Sequence, residues 1–161
     1  MISKNGIEMV KRLEGFSPLE YTCVAGCRTI GYGHVLKPDE EYVGGVGENE
    51  AEKMLLRDLQ TAENAVDALV AVPLTPCQKD ALVSFVFNIG VRAFSKSTLL
   101  RLLNEGEYAR VPEQMNRWVF VNGRPCFGLA RRRKTEAAMF VKRKNGRAAG
   151  SSGKEKTHEQ Y

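Results

Sequence analysis

The stretch "RLEGFSPLEYTCVAGCRTIGYGH", Arg12 to His34, contains the end of one predicted helix and the whole of a predicted β-hairpin. Gly15 stands where the C-terminal cap of the helix belongs. After it, β-branched and aromatic residues alternate on either side of Gly26, a pattern typical of a hairpin followed by a further strand. The order of helix, then hairpin, then the helical patterns downstream predicts an α+β fold.

Glu14 occupies a position of the first helix where periodicity asks for an apolar side chain. The helix begins at a cap, Ser3 or Asn5, and Ile7 and Val10 define its apolar stripe. Burial and the negative end of the helix dipole would both disfavour a charged carboxylate there, and these conditions produce general acids. Two other interpretations stay open, namely an exposed glutamate at a helix end or the partner of a buried arginine.

The rest of the chain reads as helices. A long amphipathic pattern runs from Glu48 to about residue 72, and "TPCQKDALVSFVFNIG" predicts a buried central helix that ends at Gly90. Further helices are expected at 97–103, 108–118 and, after the turn "VNGRP", at about 129–142.

These elements predict one domain with two lobes over residues 1–143. A small β lobe covers about 16–47, and the long helix joins it to a larger helical lobe of about 73–143 that also includes the N-terminal helix. Residues 144–161 lose apolar periodicity and gain glycine, serine and charge, so we expect a flexible tail.

Composition excludes several classes of protein. A chain of 161 residues suits one globular domain, and no apolar run approaches the ~20 residues of a membrane helix, so we expect no stable membrane insertion. The net charge of +5 favours a polyanionic partner but does not identify it. The four cysteines form no pair of CxxC clusters and there are two histidines, so we expect no metal and no cofactor. No phosphate-binding glycine motif is present.

Two further groups of polar residues invite interpretation. In "GLARRRKTEAAMF", Arg131, Arg132 and Arg133 cannot all face solvent, so we expect one of them to turn inward to a carboxylate. His34 and Asp58 are predicted to form an ion pair that joins the hairpin to the long helix, which is a structural role rather than a catalytic one.

The spacing of the quoted stretch resembles that of the phage-type lysozymes, the glycoside hydrolase family of T-even phage lysozyme and the lambdoid endolysins. Eight residues separate Glu14 from Cys23, five separate Cys23 from Thr29, and "IGYGH" follows. "GENEAEKMLLRDL", "ALVSFVFNIG" and "GLARRRKTEAAMF" resemble the interlobe, central and C-terminal helices of the same family, so the resemblance covers about residues 3–142. It implies a lysozyme-like fold.

The resemblance also implies an activity and a set of site residues. The family cleaves the β-1,4 bond between N-acetylmuramic acid and N-acetylglucosamine in bacterial peptidoglycan, with the glutamate matching Glu14 as acid and the threonine matching Thr29 holding water. Cys23 stands where aspartate is more common. Arg132 would contact Glu14, and His34 would pair with Asp58. Positions that contact sugar in the family correspond to Val35, Phe87 and Ser97, whereas Pro112 replaces an asparagine that serves the glycan.

Cys23 leaves the mechanism open. It is a base, a nucleophile or a thiol that orients water with Thr29, and we favour inversion with water held by these two residues. Cys27 either forms a disulfide with Cys23 or remains a thiol. A catalytically weak peptidoglycan-binding or structural protein is the alternative function, and we expect no nucleic-acid partner.

The resemblance further implies how such a protein reaches its substrate. We expect a monomer that stays in the host cytoplasm and reaches the periplasmic cell wall after a holin opens the membrane. Whether an N-terminal membrane anchor has been trimmed is left open.

Overall fold

The computed structural model of the protein describes residues 1–23 and 26–142, and the predicted tail at 144–161 lies outside them. The fold is α+β, as the sequence predicts, with seven α-helices and five short strands among the described residues. The bounds are α1 Lys4–Glu14, β1 Ser17–Thr22, β2 Arg28–Gly31, β3 His34–Val35, α2 Glu48–Leu69, α3 Pro76–Ile89, α4 Val91–Ser95, α5 Thr98–Asn104, α6 Val111–Met115, β4 Phe120–Val121, β5 Arg124–Pro125 and α7 Phe127–Val141.

Helix α1 begins and ends where local chemistry sets its limits. Ser3, rather than Asn5, is the N-cap, and its hydroxyl accepts a hydrogen bond from the Gly6 N–H. Ser3 also anchors the helix to the larger lobe, because its N–H donates to the buried Asp80 carboxylate at 2.8 Å. Gly15 ends the helix at a φ of 73°, a left-handed value that favours glycine. Glu14 is therefore the last residue of α1.

The β lobe is a three-stranded antiparallel sheet in the order β1-β2-β3. Tyr21 pairs with Thr29, Thr29 in turn pairs with Val35, and Ile30 pairs with His34. Helix α2 leaves this lobe with its apolar face buried and joins it to the helical lobe, where α3 packs against both α2 and α7. The junction of sheet, α1 and α7 is the part of the fold that positions the candidate site.

The sequence misplaces some helical boundaries. The predicted helix at 108–118 is a 3-10 turn, Tyr108–Arg110, followed by the short α6, because Pro112 has no N–H to bond the Tyr108 carbonyl. Helix α2 ends at Leu69 rather than near 72. Helix α4 is not predicted, since one turn after a glycine carries too little periodicity, and the turn "VNGRP" carries a small hairpin of β4 and β5.

Candidate functional site

The Glu14 carboxylate lies between the two lobes, with one oxygen directed to each. Oε1 contacts Nη1 of Arg132 on α7. Oε2 faces the β lobe at Gly33, whose φ is +81° and where an added Cβ would lie 2.8 Å from that oxygen. The side chain of Glu14 is 19 % exposed. Glu14 is therefore the partner of a buried arginine, which is one of the interpretations that the sequence left open. Because position 33 is a glycine, the sheet can approach the carboxylate closely.

Arg132 belongs to a buried ionic network rather than to an isolated pair. Its Nε donates to Glu136 at 3.0 Å, and its Nη2 donates to the Ser84 carbonyl on α3 at 3.3 Å. The Ser84 hydroxyl donates to the same Glu136 oxygen at 2.7 Å. Because each donor of the guanidinium has a defined acceptor, the position of the arginine beside Glu14 is fixed by α3 and α7 together.

Arg133 also turns inward, although the sequence predicted that one arginine would do so. Its Nη1 contacts the second oxygen of Glu136, and its guanidinium lies 4.9 Å from the centre of the Phe85 ring. Its Nε donates to the Trp118 carbonyl at 3.0 Å. Burial lowers the pKa of Arg133, and the Glu136 charge opposes that effect. Glu136, at 0 % exposure, forms ion pairs with both buried arginines, and Glu14 supplies the second negative charge. The sequence analysis did not single out Glu136. The signal was available, because Glu136 is a polar residue at a position of α7 where the helical spacing expects an apolar side chain.

The hairpin carries Cys23 and Thr29. The Sγ of Cys23 accepts a hydrogen bond from the Cys27 N–H at 3.4 Å, and the Thr29 hydroxyl donates to the Cys27 carbonyl at 3.1 Å. Thr29 is buried and Cys23 is half-buried. All four cysteines, which lie among the described residues, are thiols, so the structure has no Cys23–Cys27 disulfide.

Tyr21 is a residue of this region that the sequence did not single out. It lies directly across from Thr29 in the β1–β2 pair and is 42 % exposed. The pKa of its phenol is raised, chiefly by burial and then by the negative charges of Glu14 and Cys23. Tyr21 therefore lies within electrostatic reach of both the Glu14 carboxylate and the Cys23 thiol.

His34 joins the hairpin to α2 through the contact that the sequence predicted. Its Nδ1 lies 2.7 Å from Oδ2 of Asp58, and its Nε2 lies 3.4 Å from Glu40. The Glu40 carboxylate also accepts a hydrogen bond from the Lys37 N–H at 2.9 Å. The imidazole is thus held on both sides, which fixes β3, and the neighbouring Gly33, relative to α2.

The remaining predicted positions lie on β3, on α3 and at the start of α5. Val35 is 54 % exposed on β3, and Phe87 is half-buried on α3. The Ser97 hydroxyl caps α5, since it accepts from the Leu100 N–H at 3.0 Å and donates to the Phe94 carbonyl at 2.7 Å. Over residues 1–23 and 26–142, no cluster of three or more metal-ligating side chains occurs. Within the same residues no helix is long and apolar enough to cross a membrane.

Comparison with known proteins identifies a family. The model of the phage lysozyme family matches residues 11–136. The chain is 46% identical over 128 residues to the SAR-endolysin of Escherichia phage Mu, covering 80% of this chain and 74% of that protein. It is 42% identical over 143 residues to the endolysin of Salmonella phage P22, covering 87% and 97%.

Solved structures give the same result at the level of the fold. The muramidase domain of SpmX from Asticaccaulis excentricus is similar with a TM-score of 0.81 and 37% identity, over 89% of this chain and 99% of that one. A P22 lysozyme mutant is similar with a TM-score of 0.78 and 38% identity, over 88% and 99%. The lysozyme-like fold implied by the spacing in the hairpin region is therefore confirmed.

Proposed function

The chain belongs to the phage lysozyme family and is a glycoside hydrolase of the lysozyme type, and from this premise we propose the bond that it cleaves and the residues that act on it. The bond is the β-1,4 linkage between N-acetylmuramic acid and N-acetylglucosamine of bacterial peptidoglycan. Glu14 is the general acid. The observation that carries this assignment is the Glu14 carboxylate at the junction of the lobes, held by Arg132 and covered by Gly33.

In the proposed reaction, Glu14 protonates the oxygen of the leaving sugar. Water held by Cys23 and Thr29 attacks the anomeric carbon from the opposite face and releases one proton to the solvent, which gives an inverted product. The hydrogen bonds of these two residues to Cys27 support this role, because they fix the thiol and the hydroxyl relative to each other. Val35, Phe87 and Ser97 are proposed to line the binding site for the sugar.

The first experiment replaces the acid. Glu14→Gln keeps the shape of the side chain and removes its proton, so lysis of outer-membrane-permeabilised cells should fall about 10²- to 10⁴-fold. Glu8→Gln, the same change at an exposed position of α1, is the matched control and should lyse at the wild-type rate. Normal lysis by Glu14→Gln would refute the acid assignment.

The second experiment tests the stereochemistry. NMR of the product within its first seconds should show the α anomer at the new reducing end. A β anomer, or a sugar trapped on Cys23 and detected by mass spectrometry, would contradict inversion and assign the thiol as nucleophile.

A catalytically weak peptidoglycan-binding or structural lysozyme-like protein is the second candidate, and the observation that favours it is that position 23 carries a cysteine in place of the second carboxylate. It predicts wall binding without release of reducing ends.

We also propose that the protein is a monomer that waits in the host cytoplasm and meets the wall after a holin opens the membrane. Lysis that needs no holin in the host would exclude this route.

A further inference from the structure

A groove of about 840 Å³ runs between α1 and α7, apart from the sheet side of Glu14. Its apolar floor is formed by Met9 and Leu13 from α1 and by Leu129 and Met139 from α7. Neither the proposed catalysis nor the proposed sugar contacts use these side chains. The groove is therefore a separate concave surface on the same lobe.

The charge of the groove has one sign. Its lining contains Arg12, Arg131, Arg132 and Lys142, and no aspartate or glutamate of the described chain. Arg132 is neutralised by Glu14 and Glu136, but Arg12 and Arg131 form no ion pair with a described residue and are exposed, as is Lys142. Three cations around an apolar floor fit an anionic, partly apolar ligand.

One end of the groove adjoins the candidate acid. Arg132 lines the groove and contacts Glu14, while Arg12 and Leu13 directly precede Glu14 in the chain. A glycan bound for cleavage at Glu14 therefore brings whatever it carries on its muramic acid close to this end. In peptidoglycan, muramic acid carries a short peptide. This peptide has free carboxylates, and some of its side chains are apolar.

We propose that the groove between α1 and α7 binds the stem peptide of peptidoglycan and selects stems with free carboxylates over amidated ones. The inference rests on the proposed muramidase function and extends it to specificity. Arg12 lies two residues before Glu14 and Arg131 directly precedes Arg132, and these two exposed cations hold the carboxylates by charge. Amidation removes the negative charge of a stem carboxylate, so the amidated stem loses its attraction to the two arginines.

The test measures kcat/KM on two soluble glycans that differ only in whether their stem carboxylates are free or amidated. Wild type should prefer the free-carboxylate substrate roughly 3- to 10-fold, the range expected of two exposed ion pairs. The double variant Arg12→Gln/Arg131→Gln should reduce the ratio of the two kcat/KM values to about one. Arg92→Gln/Lys96→Gln removes two exposed cations outside the groove and should leave the ratio unchanged.

Three outcomes would overturn the inference: a wild-type ratio of one, a ratio that the groove variant retains, or an equal fall in the control variant. Thermal unfolding of both double variants verifies that each is folded. Release of reducing ends by wild type, and its loss in Glu14→Gln, tests the proposed function separately. An enzyme that cleaves both glycans equally would therefore refute the proposed selection by the groove, and the proposed muramidase function would still hold.

Discussion

The acid side and the thiol side of the site are built differently. Glu14 belongs to a buried network that spans α1, α3 and α7, in which Arg132, Glu136 and Arg133 contact one another in sequence. Cys23 and Thr29 are held by two hydrogen bonds to Cys27 on the same hairpin. The difference teaches that the Glu14 carboxylate is positioned by the tertiary structure and the Cys23 thiol by local structure. Substitutions on the acid side should therefore cost stability, whereas those on the thiol side should cost activity alone.

The largest expected effect comes from Glu136, the carboxylate between the two buried arginines. Glu136→Gln leaves the buried Arg133 without a counter-charge and leaves Arg132 with Glu14 alone, so the free energy of unfolding should fall by about 3–5 kcal/mol. Urea unfolding measures the loss, with Glu113→Gln on exposed α6 surface as a control near zero. A loss below about 1 kcal/mol would mean that the network contributes little to holding Arg132.

Gly33 should give the next largest effect. Gly33→Ala forces an alanine into a left-handed backbone conformation and places its Cβ against Glu14. Together these effects should lower the free energy of unfolding by about 2–3 kcal/mol and lower activity as well. Gly123→Ala is the matched control, since its φ of +74° imposes the same backbone strain with nothing within 4 Å. Equal losses in the two variants would show that contact with the carboxylate has no cost.

The link between β3 and α2 should contribute less. Asp58→Asn keeps the shape of the side chain but weakens its contact with His34, so the free energy of unfolding should fall by about 1 kcal/mol. Glu50→Gln on the exposed side of α2 serves as control. An unchanged unfolding free energy for Asp58→Asn would mean that the hairpin is held to α2 by packing alone.

The smallest effect on stability is expected at Cys23. Cys23→Ser should change the unfolding free energy by less than about 0.5 kcal/mol, yet reduce lysis roughly 10- to 100-fold, as expected when a group that activates water is weakened. Cys23→Asp should keep most of the activity, because a carboxylate can hold the same water. A Cys23→Ser variant that unfolds readily would erase the distinction between the two sides.

Much of the fold followed from local pattern. Caps at Ser3, Gly15 and Gly90, together with 3.6-residue periodicity, predicted α1, α2 and α3 to within a few residues. These signals depend on residues that are close together in the chain, so the amino-acid sequence alone contains them. The interruption at Pro112 was missed because the apolar spacing continues through a residue that cannot donate the next helical hydrogen bond.

The site was predictable only in part. The spacing of Glu14, Cys23 and Thr29 singled out these residues, and the pairing of His34 with Asp58 followed from a carboxylate that interrupts the apolar side of the long helix and a lone histidine on the hairpin side. The groove, by contrast, gave no local signal, because its two walls are more than 100 residues apart in the chain.

The sequence by itself determined the long helices α1, α2, α3 and α7, the hairpin and the order of residues that relate the chain to a family, since caps, periodicity and spacing are properties of neighbouring residues. Only the tertiary structure decided that both Arg132 and Arg133 turn inward, that Glu136 lies between them, and that Gly33 covers Glu14. The physical reason is that a buried charge needs its counter-charge in space, and the partner of Glu14 is on the last helix of the fold.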